Sequence, residues 1–96
     1  MTRDEVLGLI RDHRSDIRGF GVESVALFGS AARDEAQLGS DVDVLVEFSE
    51  PVGLFRFLDL KAYLEALLGC DVDLVTRDAL RPQLRPTILR EVVDAF

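Results

Sequence analysis

The sequence predicts an α/β fold of the α+β kind, and three observations predict it. Helical apolar spacing with capping signals opens the chain, fills its middle and closes it. Short β-branched segments bounded by Gly or Pro lie between, and two of them carry acidic residues at alternating positions. The 96 residues suit one compact domain, 1–96, because domains commonly hold about 100–150 residues and no Pro/Gly/Ser-rich linker divides the chain. With 48% hydrophobic residues there is material for a single core.

Thr2-Arg3-Asp4-Glu5 matches a capping box, so a helix should start there. Val6, Leu9, Ile10, His13 and Ile17 then form one apolar stripe, and Gly19 supplies a left-handed stop. His13, at the edge of that stripe with no neighbouring nucleophile, reads as a packed or capping side chain. Val22 to Phe28 is β-branched or aromatic in part and bounded by Gly21 and Gly29, which predicts a strand. Ser30 to about Ala36 suits a short helix, and Gln37 to Ser40 a loop. Val42 to Phe48 is nearly continuous in apolar residues, as in a strand covered on both faces, with Asp43 interrupting it.

After Pro51, Leu54 to Leu68 makes the longest helical pattern. Leu54, Phe57, Leu58, Leu60, Leu64, Leu67 and Leu68 give it a wide core-facing side, and Gly69 ends it. Phe55 and Tyr63 fall at the margin of that side, which makes the helix a candidate interface as well. Asp71 to Val75 predicts another strand, with Asp71 and Asp73 on one face. Pro86 suits the first turn of a final helix with Ile88, Leu89, Val92 and Phe96 on one side.

The chemistry concentrates in Gly29 to Asp43. Asp41 and Asp43 alternate at the start of a strand, so both side chains project to one face and can share a divalent cation. Hard carboxylate oxygens suit Mg²⁺, with substrate phosphates and water completing the octahedron. Gly29 allows close backbone approach to phosphate, and Ser30 adds an N–H and a hydroxyl. Arg33, one helical turn on, is either a ligand of the departing phosphates or a solvated surface charge. Asp73, between Val72 and Leu74, is the candidate third carboxylate, as base or metal ligand; its embedded position favours it over Asp71.

The net charge of −7, from 11 Lys+Arg against 18 Asp+Glu, argues against a surface that tracks nucleic acid. It favours a small anionic ligand bridged by metal, or a basic protein partner. The single cysteine, Cys70, permits no intrachain disulfide, and neither a membrane span nor a signal peptide is readable, so the expected setting is cytoplasmic. One His and one Cys argue against structural zinc.

Leu27-Phe28-Gly29-Ser30, Ala32-Arg33 and Ser40-Asp41-Val42-Asp43-Val44-Leu45-Val46 resemble the GSx10DxD motif of the DNA polymerase β-like nucleotidyltransferases, in their minimal nucleotidyltransferase (MNT) branch. Val72-Asp73-Leu74-Val75 stands where that family has its third acidic strand. The resemblance implies a small mixed sheet flanked by helices, ATP as substrate and Mg²⁺ as cofactor. It implies that Gly29 and Ser30 hold phosphates and that Asp41, Asp43 and Asp73 form the catalytic, metal-binding triad. The chain departs from the pattern at Ala31 and Asp34, where relatives often carry Arg and Gly.

Many MNT domains are antitoxins of HEPN/MNT toxin–antitoxin pairs. The resemblance therefore implies a HEPN ribonuclease toxin as partner in a hetero-oligomer, with AMP transferred to a toxin hydroxyl, tyrosine in particular. Neutralisation by binding alone, and transfer to a small molecule, are the alternatives. The chain has no room for a separate acceptor-binding domain, which favours an acceptor brought by another protein.

Overall fold

Thr2 starts the first helix in the way its capping box predicts: its hydroxyl accepts the Glu5 N–H at 3.2 Å and donates to the Glu5 carboxylate at 3.2 Å. The computed structural model describes residues 2–33 and 41–96, Ser30 by its backbone alone. Helix α1, Arg3–Asp12, buries Val6, Leu7 and Ile10; α2, Arg14–Arg18, buries Ile17. The expected single helix is thus broken at His13 (φ −108°, ψ 19°), whose backbone N–H is shared between the Leu9 and Ile10 carbonyls. The His13 ring Nδ1 lies 2.9 Å from the Leu9 carbonyl oxygen, in the capping role read from the sequence.

Gly19 does not supply the left-handed stop: its φ is −61°, and the turn runs on through Phe20 to Gly21, whose φ of 90° reverses the chain into the first strand. Phe20 N–H bonds to Ile17 O and Gly21 N–H to Arg18 O, so these two residues extend the last turn of α2 before the reversal.

Strands β1 (Val22–Phe28) and β2 (Val42–Phe48) have the expected bounds, and β3 runs Val72–Thr76, one residue later than the acidic pattern suggested. A fourth strand, β4 (Val93–Asp94), completes a mixed sheet of order β3-β2-β1-β4, in which β1 pairs antiparallel with β2 and β4, and β2 parallel with β3. As predicted, β2 is covered on both faces. Val42, Val44 and Val46 enter the main core, while Leu45 packs with Ala26 and Leu80 on the other side.

Helix α4, Leu54–Leu68, contributes Leu60, Leu64 and Leu68 to the main core and ends at Gly69 (φ 70°). Each fully buried leucine contributes about 1.5–3 kcal/mol. Its apolar side is narrower than expected. Leu54 and Leu58 are 68% and 45% exposed, and Phe55, at the expected margin, is 84% exposed. Tyr63 packs instead, its ring centroid 5.5 Å from that of Phe20 and its hydroxyl 3.2 Å from Asp16 Oδ2.

A short 3-10 turn, Arg77–Ala79, precedes α5, Arg85–Glu91. Val92 and Phe96 do not continue that helix. Val92 is extended, β4 follows, and Val25 N–H bonds to Phe96 O at 3.1 Å. The pairing satisfies backbone groups on the outer edge of β1 that a longer helix would leave open. The helix expected after Ser30 is a single turn, α3, Gly29–Ala32, and the expectations for residues 34–40 fall outside the described residues. Among the described residues no helix is long and apolar enough to cross a membrane.

Candidate active site

The sheet register converges on Asp43. Antiparallel pairing puts Phe28 opposite it, so Gly29 follows directly beside the carboxylate. Parallel pairing sets Asp73 at the same level on β3, where its charge bears on the Asp43 carboxyl group. Asp41 stands two residues earlier, at the mouth of β2, where Val42 N–H bonds to Asp71 O at 3.0 Å. The start of β3 is held by Glu65 on α4, whose carboxylate accepts the Val72 N–H at 3.1 Å and pairs with Lys61 at 3.0 Å. Those contacts, the Val72 bond first, hold the Glu65 carboxyl below its ordinary pKa.

Gly29 is required twice over. Its φ of 65° is left-handed, and a Cβ there would collide with Asp43 Oδ2 and approach Asp43 Cγ to 3.2 Å. The backbone of the Gly-Ser corner and the carboxylate are therefore in direct apposition. Ala31 and Ala32, 2% and 4% exposed, anchor α3 in the core, and Arg3 Nη1 donates to Ala32 O at 3.2 Å.

Burial raises the pKa of Asp43 from its ordinary value, and the charges of Asp73 and Asp41 raise it further, while the Arg33 guanidinium works the other way. Arg33 Nη1 also lies 3.4 Å from Glu91 Oε2 on α5, so the guanidinium serves both the acidic cluster and the C-terminal helix. Among the described residues, no three acidic, His or Cys side chains are gathered tightly enough to hold a metal ion unaided. Hard-cation sites of this kind draw further ligands from water and substrate phosphate.

The structure thus brings Gly29, Arg33, Asp41, Asp43 and Asp73 to one end of the sheet, with the backbone of Ser30 adjoining Gly29. Asp73 differs from its expected setting: it is exposed, not embedded, because its neighbours Val72 and Leu74 turn to the core while it faces away. Its case rests on register beside Asp43, and the argument from buried charge does not apply. Two supporting residues escaped sequence reading. Lys61 and Glu65 show helical i,i+4 spacing, but neither the Val72 anchor nor the Arg33–Glu91 pair carries a local signal.

A groove of about 480 Å³ opens at the opposite end of β2, between its exit, the 49–53 loop and the start of α4. Its lining on β2, Val46 to Phe48, lies about 10–17 Å along the strand from Asp43, at roughly 3.4 Å per residue. This groove and the acidic cluster therefore occupy different ends of the sheet.

Because the folded pKa of Asp43 exceeds its unfolded value, the group favours the fold below its unfolded pKa, and this contribution is lost as pH rises through the folded pKa. In chelator-treated buffer at neutral pH, Asp43→Asn should therefore melt higher than the parent chain. The gap should close as the buffer is acidified below the carboxylate range. Thermal denaturation across that series checks this; a neutral-pH Tm at or below the parent's would contradict it.

The family profile described as "Nucleotidyltransferase domain" matches residues 9–95. Protein adenylyltransferase MntA of Thermococcus cleftensis is 45% identical over 94 residues, covering 97% of this chain and 95% of that protein. A solved structure bearing the name minimal nucleotidyltransferase superposes with a TM-score of 0.74 at 41% identity, covering 91% of this chain and 93% of that one. A solved toxin–antitoxin complex with AMP-PNP shares the fold, with a TM-score of 0.71 at 21% identity over 100% of this chain and 73% of that one.

Proposed function

Since the chain belongs to the nucleotidyltransferase domain family and is a nucleotidyltransferase, we propose that it transfers AMP from ATP to a hydroxyl, tyrosine in particular, of a cognate HEPN ribonuclease toxin, and so acts as an antitoxin. One observation carries the assignment of the site: the parallel register that sets Asp43 beside Asp73, with the Gly29 backbone against the Asp43 carboxylate. The identity to a named protein adenylyltransferase supports a protein acceptor. The donor set fits Mg²⁺, being hard oxygen only, and a Cβ at Gly29 would fill the cradle between backbone and carboxylate. Asp41, Asp43 and Asp73 would hold Mg²⁺, which when bound neutralises phosphate charge and polarises the α-phosphorus.

In this reading Gly29 lets the triphosphate approach the backbone, and Ser30 adds donors to its oxygens. Arg33 exchanges Glu91 for a phosphate oxygen. Exposed ion pairs contribute only about 0–1 kcal/mol, so the exchange is cheap. The acceptor oxygen forms a bond to the α-phosphorus as the bond to the bridging oxygen breaks and pyrophosphate leaves. Asp73, exposed beside Asp43, takes the hydroxyl proton.

The raised pKa of Asp43 describes the carboxylates without cation; a bound dication favours the ionised forms. The setting fits the cytoplasm, where ATP and Mg²⁺ are abundant.

Neutralisation separates catalysis from masking. Co-expressed with its toxin, the Asp41→Asn/Asp43→Asn variant should bind the toxin yet fail to relieve growth arrest. Full relief by that variant would replace AMP transfer with neutralisation by binding.

A further inference from the structure

We propose that the groove at the far end of the sheet docks a partner protein through a basic amphipathic segment, one apolar side chain seated in the groove and lysines or arginines on its rim. The lining of the groove includes the apolar side chains of Phe48, Val52, Leu54 and Phe57. The lining carries Glu47, Glu50 and Asp78 against one base, Arg77, with the Arg56 guanidinium near Gly21 and Val52 at its margin. Apolar surface continues out of the groove along α4, where Leu54 is 68%, Phe55 84% and Leu58 45% exposed. Leu54 and Leu58 stand one turn apart, so the patch presents a continuous strip. Contiguous apolar surface edged by charge is characteristic of interaction sites.

The walls are preformed. Ser49 donates to the Gly21 carbonyl from both its N–H, at 2.9 Å, and its hydroxyl, at 3.2 Å, which pins the 49–53 loop to the start of β1. A fixed groove loses little conformational freedom when it binds.

Charge selects the occupant. Three acids against Arg77 in the lining and Arg56 at its margin disfavour a bare phosphate at this end. A second copy related by two-fold symmetry would set the same acidic rim against itself. A basic segment meets complementary charge on the rim and on a chain whose net charge is −7. The surface is separate from the nucleotidyl-transfer end, so docking there leaves Asp41, Asp43 and Asp73 open.

The test is an NMR titration of the labelled chain with a synthetic helical peptide of leucine and lysine, and with its leucine–glutamate counterpart. Shifts from the lysine peptide should centre on Phe48, Phe57, Thr76 and Asp78. Leu54→Ser/Phe55→Ser, which alters only exposed side chains, should weaken binding roughly tenfold. Should that variant melt early, Glu50→Lys/Asp78→Lys serves the same purpose through charge alone, and should give the same loss. The proposal is overturned by shifts centred on Asp41 and Asp73, by equal binding of the glutamate peptide, or by binding that the working variant leaves unchanged. Self-association abolished by Leu54→Ser/Phe55→Ser would overturn it in favour of a second copy.

Discussion

Asp43→Asn, and separately Asp41→Asn, should lower AMP transfer by roughly 10²–10⁴-fold while the chain stays folded, since a metal centre contributes several kcal/mol of charge stabilisation and each 1.36 kcal/mol is tenfold in rate. Asparagine keeps the size of aspartate and removes the charge that would hold the proposed cation. At position 43 the same substitution relieves repulsion from Asp73 and Asp41, so the less active chain should be the more stable one in metal-free buffer. Opposite movement of activity and stability marks a cluster held together for chemistry. Single-turnover transfer beside thermal melting measures both. A variant within tenfold of the parent rate would remove Asp43 from the machinery.

Gly29→Ala should lose both stability and transfer, and Gly69→Ala stability alone. Both glycines are left-handed, φ 65° and φ 70°, a conformation that costs an ordinary residue about 1–2 kcal/mol. For a domain near 100 residues, each kcal/mol lowers Tm by about 4–8 °C. Only at position 29 does the new Cβ meet Asp43; at Gly69 nothing lies within 4 Å of it. The alanine at 29 must therefore push the carboxylate or the strand end aside, and misplacing a reacting group by about 1 Å can cost about 10²-fold. Equal transfer rates in the two variants would show that the contact with Asp43 has no catalytic consequence.

What could be read from sequence alone follows from the range of the interactions. Val22–Phe28, Val42–Phe48 and Leu54–Leu68 were legible to the residue, because alternation, glycine borders and leucine spacing are local. Gly29, Asp41 and Asp43 were legible as a group for the same reason. What failed depended on partners distant in the chain. Val93–Asp94 pairs with the otherwise open edge of β1, and Leu54, on the apolar side of α4, lines the groove and stays exposed, as does Leu58 one turn on. The register sets Asp73 beside Asp43, while the sequence argument for it, an embedded carboxylate, does not hold, since it is exposed. The roles given to Glu65 and Glu91 required the register of strand and helix to be known.

The most direct test of nucleotidyl transfer at the Asp43 end uses the chain with the HEPN toxin proposed as its partner, Mg²⁺ and ATP labelled on either the α- or the γ-phosphate. Label from the α-phosphate should become covalently attached to the toxin, none should come from the γ-phosphate, and Asp43→Asn should abolish attachment. Label arriving from the γ-phosphate, or α-label transferred undiminished by Asp43→Asn, would contradict the assignment.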